Sequence, residues 1–79
     1  MIYPNPAHGY IQLLAKNGFG NDSRFSLLDA SGREILTQSI ENQVKNQRIQ
    51  LSHLQLAKGL YYIKLQANQH VSVHKLMIQ

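Results

Sequence analysis

Cysteine and tryptophan are both absent from the 79-residue chain. Without cysteine, neither a disulfide framework nor a zinc–thiolate site can form. A domain of this length buries only about 60% of the surface that its unfolded chain exposes. We therefore expect one domain of modest stability, with no covalent staple and no tryptophan to enlarge its core.

Long apolar runs are lacking as well. No stretch approaches the ~20 apolar residues that a membrane-spanning helix needs. The first three residues run directly into Pro4, with neither the basic region nor the apolar stretch of a secretory signal. If the protein is exported, we expect the export signal on a longer precursor of which this chain is a piece.

Acidic residues are few and lie in the first half of the chain. The sequence has 4 acidic residues against 8 lysines and arginines, which gives a net charge of +4. Such an excess can attract nucleic acid, lipopolysaccharide or an acidic protein. We favour a solvated surface whose lysines protect strand edges, and we expect no nucleic acid as partner, because no recognition motif accompanies the charge. The sequence from Asn42 onward has no acid but contains Lys45, Arg48, Lys58, Lys64 and Lys75.

Short strands between turn signals account for most of the chain. The run Leu60–Ala67 alternates, with Tyr61, Ile63 and Leu65 on one face, and we predict that it is the central strand. Strands of this length and spacing are typical of an antiparallel sandwich. The sequence therefore predicts an all-β domain. Its seven predicted strands are Ile2–Tyr3, Tyr10–Leu14, Arg24–Leu28, Arg33–Ile40, Arg48–Leu51, Leu60–Ala67 and Val71–Ile78.

The last predicted strand breaks its own alternation. Val71 and Val73 share one face, whereas Leu76 and Ile78 fall on the other. We expect either a bulge near His74-Lys75 or a strand that is partly covered on both faces.

Three further local predictions concern the connections. Pro4 and Pro6 cannot donate ladder hydrogen bonds, so the first strand should be short and lie at a sheet edge. One helical turn is expected near Ser52–Gln55. Phe19, within a loop, is expected to plug one end of the core.

No catalytic or metal-binding pattern is indicated. On a strand, His70 and His74 lie about 13 Å apart, too far to share one ion. No serine has the context of a nucleophile, and Gly18–Gly20 lacks the third glycine of a dinucleotide loop. Tyr61 and Tyr62 can stack on a sugar, but core and cross-strand packing are favoured. We expect no enzyme activity, no metal and no cofactor.

Four motifs follow one another along the chain, namely Tyr3–Ala7, Leu28–Arg33, Leu56–Ile63 and Lys75–Ile78. In this order and at these distances the sequence resembles the type A C-terminal sorting domain of the type IX (Por) secretion system of Gram-negative bacteria. The resemblance covers essentially the whole chain. The positions that match the family pattern are Pro4, Asn5, Pro6, Gly32, Gly59, Tyr61, Lys75, Leu76 and Ile78.

The resemblance implies a seven-stranded, immunoglobulin-like sandwich at the C-terminal end of a larger secreted cargo protein, with residues 1–79 as its single sorting domain. An ordinary signal peptide would take the cargo across the inner membrane into the periplasm. The outer-membrane translocon would then recognise this domain as a folded address. A sortase-like peptidase would cut ahead of it and leave the cargo at the cell surface or outside the cell. The domain itself would catalyse nothing.

Two positions depart from the family pattern. Leu54 and Leu56 both compete for the leucine that precedes Gly59, so the connection from Leu51 is expected to be longer than usual. The chain ends in Gln79, where the family commonly has a basic residue, which weakens the expected terminal contact.

Exposed strands bind partners by adding to a sheet. We expect Val71–Gln79 to be such a strand, with Lys75 at its polar rim. A weak dimer that forms through the same edge is a second possibility. A carbohydrate-binding or adhesive module of a secreted enzyme is the alternative function.

Deleting Leu76–Gln79 is expected to abolish export of the cargo and to leave its expression intact, because the terminal strand is the expected recognition element. Comparison of extracellular and cellular cargo checks this. Normal secretion of the truncated cargo would contradict it.

Overall fold

Two antiparallel sheets contain the seven strands of the described residues. The computed structural model describes residues 2–15, 22–40, 45–67 and 70–79. A three-stranded sheet has the order β1-β2-β5, and a four-stranded sheet has the order β4-β3-β6-β7. This confirms the predicted all-β antiparallel sandwich. The strands are β1 (Ile2–Tyr3), β2 (Tyr10–Leu14), β3 (Arg24–Leu28), β4 (Glu34–Ser39), β5 (Asn46–Gln50), β6 (Gly59–Ala67) and β7 (His70–Ile78).

The core lies between the two sheets and contains alternate residues of their strands. Alternation places every second side chain of a strand on the same face, so the apolar positions meet in one layer. In β6 the buried face carries Tyr61 and Ile63, which the alternation of the sequence places together. The side chains at most 2% exposed include Ile11, Leu13 and Ile49 from one sheet and Phe25, Leu27, Ile63 and Leu76 from the other.

The positions of β6 and β1 are also confirmed. β6 lies between β3 and β7, so it is an interior strand of the larger sheet. β1 has only 2 residues and pairs with β2 at the edge of the smaller sheet. A short helical turn follows β5 at Ser52–Leu54, where one turn was expected.

The last strand is confirmed, but both explanations offered for its broken alternation were wrong. The register of β7 on β6 is unbroken from His70 to Ile78, so no bulge lies near His74-Lys75. Val71 and Val73 are 55% and 57% exposed, so their face is not covered either. The core-facing positions in the first half of β7 are exposed as well. This half therefore lies beyond the core, where neither face of the strand has to be apolar.

Strand bounds differ from the predicted ones where polar residues pair. β5 begins at Asn46, two residues earlier than expected, because Asn46 and Gln47 pair with Leu14 and Leu13. A register shift between Leu27 and Leu28 in the β3–β4 pair has no signal in the sequence. The predictions for Phe19 and for the loop around it lie outside the described residues.

Asp29 organises the turn between β3 and β4. Its Oδ1 accepts hydrogen bonds from the Ser31 hydroxyl at 2.6 Å and from the backbone N–H groups of Arg33 and Ser31 at 2.9 and 3.0 Å. Gly32 has a φ of 91°, which glycine adopts without steric cost, and its N–H donates to the Asp29 carbonyl. The Ser31 hydroxyl, followed by the Arg33 N–H, holds the pKa of the Asp29 carboxyl below its usual value.

We predict that Asp29→Asn is less stable than the wild type at pH 7 and that the difference shrinks in acid. A carboxyl whose folded pKa lies below its unfolded value of about 3.9 stabilises the fold above that pH. This contribution is lost as the pH falls through the folded pKa. Thermal unfolding of both proteins between neutral and acidic pH checks the prediction.

Asp22→Asn is the matched control, because it removes the same charge from an exposed residue that accepts none of these turn bonds. A difference between wild type and Asp29→Asn that does not change with pH would contradict the role given to the carboxylate.

Candidate functional site

Two of the sequence motifs are paired with each other across β6 and β7. Gly59 lies opposite Ile78, and Tyr61 lies opposite Leu76. Leu76 is fully buried, and Tyr61 and Ile78 are 8% and 7% exposed. Gly59 begins β6 with a φ of 144°, a conformation that L side chains rarely adopt. These motif residues therefore form one end of the core rather than a binding surface.

Asn5 joins the first motif to the last strand. Its Nδ2 donates to the carbonyl of Lys75 at 3.3 Å, and the N–H of Met77 donates to its Oδ1 at 3.0 Å. A carboxamide carries a donor and an acceptor side by side, as a peptide group does. The Asn5 side chain thus occupies the place that a neighbouring strand would take along the outer edge of β7.

Ala7 continues this pairing with its backbone. Its N–H donates to the carbonyl of Met77 at 2.7 Å, and the N–H of Gln79 donates to the Ala7 carbonyl at 3.0 Å. The bridge between Ala7 and Ile78 is parallel, and Ala7 is fully buried. A larger side chain at this position would have to displace packed neighbours. We call the bonds from Asn5 and Ala7 to β7 the terminal clamp.

The remaining motif, Leu28–Arg33, lies beside the turn that precedes β6. The hydroxyl of Tyr61 donates to the carbonyl of Ala57 at 2.6 Å, which ties β6 to the turn before it. Residues 29–31, from the turn that contains Gly32, line a hollow together with Lys58–Tyr61. All four motifs therefore lie at the same end of the sandwich.

The nine residues singled out from the sequence fall into three groups by exposure. Tyr61, Leu76 and Ile78 are buried. Pro4 and Gly59 are half-buried, and the exposed members are Asn5, Pro6, Gly32 and Lys75. Both X–Pro peptide bonds of the first motif are cis. The exposed members can meet a partner directly, whereas the buried ones can act only through the fold.

Ala7 and Met77 belong to the clamp, although the sequence analysis did not single them out as site residues. Ala7 follows the two prolines directly, and its small size was the one available signal. Met77 takes part through its backbone, and backbone hydrogen bonds do not require a particular residue type.

The described residues include four histidines, two aspartates and one glutamate. Among them, no three histidine, aspartate or glutamate side chains come together to hold a metal ion. His74 lies on β7 with its Nε2 at 3.1 Å from the hydroxyl of Ser72. In the described part of the chain, no helix has the length and apolar character needed to cross a membrane.

Comparison with known protein families matches residues 1–79 to the family described as "Secretion system C-terminal sorting domain". In a comparison with curated proteins, none matches the chain. The matched span contains all four motifs, from Tyr3–Ala7 to Lys75–Ile78. It therefore includes the terminal clamp together with the strand that the clamp holds.

We predict that Asn5→Ala destabilises the domain by about 1 kcal/mol, the usual net contribution of a hydrogen bond whose partners can return to water. Hydrogen exchange at the Met77 amide should become faster, because its acceptor is the Asn5 Oδ1. Exchange at the Ile63 amide should become faster only by the amount that the loss of global stability causes. Thermal unfolding and amide exchange by NMR check both effects.

Asn46→Ala is the matched control, since Asn46 is exposed on β5 and its side chain makes none of the described bonds. Unchanged Met77 exchange in Asn5→Ala would show that the clamp does not hold β7.

Proposed function

The chain belongs to the secretion system C-terminal sorting domain family, and from this we propose that residues 1–79 form the single sorting domain of a larger secreted protein. A domain of this family is a sorting signal of type IX secretion, with a cargo that goes to the cell surface or the extracellular space. It interacts with the secretion machinery as the tail of its cargo. The family is not a catalytic one.

The presence of all four motifs at one end of the sandwich, with the first bonded to the last, is the observation that supports this proposal most strongly. A short linear tag would not need residues from the start of the chain to be bonded to its end. Here the terminal clamp places Asn5 and Pro6 next to Lys75, and all three are exposed. The machinery can therefore meet, in one place, residues that only the folded chain brings together.

We further propose that the outer-membrane translocon meets this end of the sandwich while the cargo is in the periplasm. A sortase-like peptidase would then cut ahead of Ile2. Ile2 and Tyr3 pair only with Leu13 and Gln12 of β2 within the described residues. A cut before Ile2 would leave the clamp and both sheets in place, so the released domain would stay folded.

The alternative of a carbohydrate-binding module gains no support from the described aromatic residues. Tyr61 is buried with its hydroxyl bonded, and Tyr62 is half-buried. Tyr10 has the guanidinium of Arg48 at 4.0 Å from its ring centroid, so that cation occupies one face of the ring. Sugar-stacking platforms need exposed aromatic faces, and every described aromatic side chain is buried or half-buried.

The structure also shows why a deletion of the last residues cannot by itself test recognition. Deleting Leu76–Gln79 would remove two core side chains and two of the bonds to Ala7 along with the strand. Loss of export would then follow from loss of the fold as well as from loss of recognition. Substitutions at exposed positions of β7 separate these causes.

We predict that a fluorescent cargo with an export signal and residues 2–79 at its C-terminus appears outside a host that has a type IX system. The same cargo should stay in the periplasm of a translocon-deficient strain. Cargo without the domain is the first control. Cargo whose domain carries Ile63→Asp is the second, because a charge at this fully buried site should unfold the domain. Periplasmic retention of cargo with a folded wild-type domain would contradict the proposal.

A further inference from the structure

The outer edge of β7 is closed along one half and open along the other. The clamp bonds the carbonyl of Lys75, both backbone groups of Met77 and the N–H of Gln79. Backbone groups of alternate residues point to the same side of a strand, so the same edge continues through Val73 and Val71. No described residue bonds the outward groups of these two valines. The open part, Val71–Lys75, is about 13 Å long at ~3.3 Å per residue.

Two apolar side chains on the solvent-facing surface of β7 lie beside this open edge. Val71 and Val73 are the most exposed large apolar side chains of the described residues, at 55% and 57%. Natural edge strands usually carry a blocking charge, a proline or a covering segment against unwanted pairing. In β7 the covering segment is the clamp, and it ends where the valines begin.

The charge around the open edge has one sign. Lys64 lies opposite Val73 on β6, and Lys75 lies at the end of the open part. Neither lysine has a carboxylate partner among the described residues. The sequence contains no acid after Glu41, so β6 and β7 have none. A partner that meets this surface gains from carrying negative charge.

We propose that the open edge, Val71–Lys75, binds an extended acidic strand of another protein by adding it to the four-stranded sheet. Backbone groups at regular spacing call for the backbone of a strand, which a lipid headgroup does not offer. The exposed valines suit apolar residues on the added strand, and the lysines suit carboxylates beside them. A second copy of this chain would bring its own lysines to the same place, which like-charge repulsion disfavours.

Within the function proposed above, the added strand belongs to the secretion machinery, and that assignment rests on the proposed function. The binding of an acidic strand to the open edge does not depend on the proposed function. One experiment can therefore test strand binding alone, and a second can test whether that binding is used in export.

The first experiment uses NMR on the isolated domain with two synthetic peptides that have threonine at every second position. Between the threonines, one peptide carries valine and glutamate and the other carries valine and lysine, so that the valines and the charges lie on one face of the added strand. The acidic peptide should slow amide exchange at Val71, Val73 and Lys75, whose N–H groups lie along the open edge. The lysine peptide should bind about tenfold more weakly or not at all, because it opposes charges of the same sign. Exchange at Met77 should not change, because the clamp already occupies that amide.

Two variants test the edge from different sides. Val73→Pro removes an outward N–H, and proline is tolerated at an edge strand in this orientation. The double variant Lys64→Glu/Lys75→Glu keeps every backbone group and should reverse the preference between the peptides. Its matched control is Lys45→Glu/Lys58→Glu, which makes the same charge change at two exposed lysines that belong to neither β6 nor β7. The double variant decides the matter should Val73→Pro fail to fold.

Four results would overturn the proposal: equal binding of both peptides, protection outside Val71–Lys75, self-association of the domain through this edge, or a preference for anionic vesicles over the acidic peptide. In the export assay, secretion of cargo with a folded Lys64→Glu/Lys75→Glu domain at the wild-type rate would refute a role for the edge and leave the sorting function standing. Failure of the wild-type domain to direct export would refute the sorting function instead.

Discussion

The hydrogen bonds between residues 5–7 and the last strand are the interaction on which the rest of this arrangement depends. A terminal strand at a sheet edge is bonded on one side only and tends to open first. Here Asn5 and Ala7 bond its other side over the half that carries Leu76 and Ile78. The same segment runs from β1 in the smaller sheet to β7 in the larger one and back to β2. It therefore links the two sheets of a small domain that has no disulfide to stabilise it.

This arrangement changes the physical interpretation of the first and last sequence motifs. The hypothesis from sequence treated Val71–Gln79 as one exposed strand. In the structure, Leu76 and Ile78 are core residues, and the edge beside them is already occupied. The part of β7 whose outward backbone groups no described residue bonds runs from Val71 to the N–H of Lys75, beside the exposed valines. The basic excess of the second half, interpreted from sequence as a solvated surface, places Lys64 and Lys75 beside this free part.

Much of the fold could be predicted from the sequence because alternation is a local signal. Tyr61 and Ile63 mark the buried face of β6, and Phe25 and Leu27 mark that of β3. The clamp could not be predicted in this way. Asn5 bonds a strand 70 positions away, and no neighbouring residue indicates which strand edge lies beside it. The slipped alternation of β7 was misinterpreted because periodicity assumes a core along the whole strand, and the first half of β7 lies beyond it.

The most direct test of this account is an NMR measurement of proton contacts in the isolated domain. The account predicts contacts between Ala7 and Ile78 and between the Asn5 carboxamide and the Met77 amide. They should accompany the contacts that define the β6–β7 pair. An intact β6–β7 pair without any contact from residues 5–7 would show that the last strand is held by β6 alone, and the central role of the terminal clamp would be wrong.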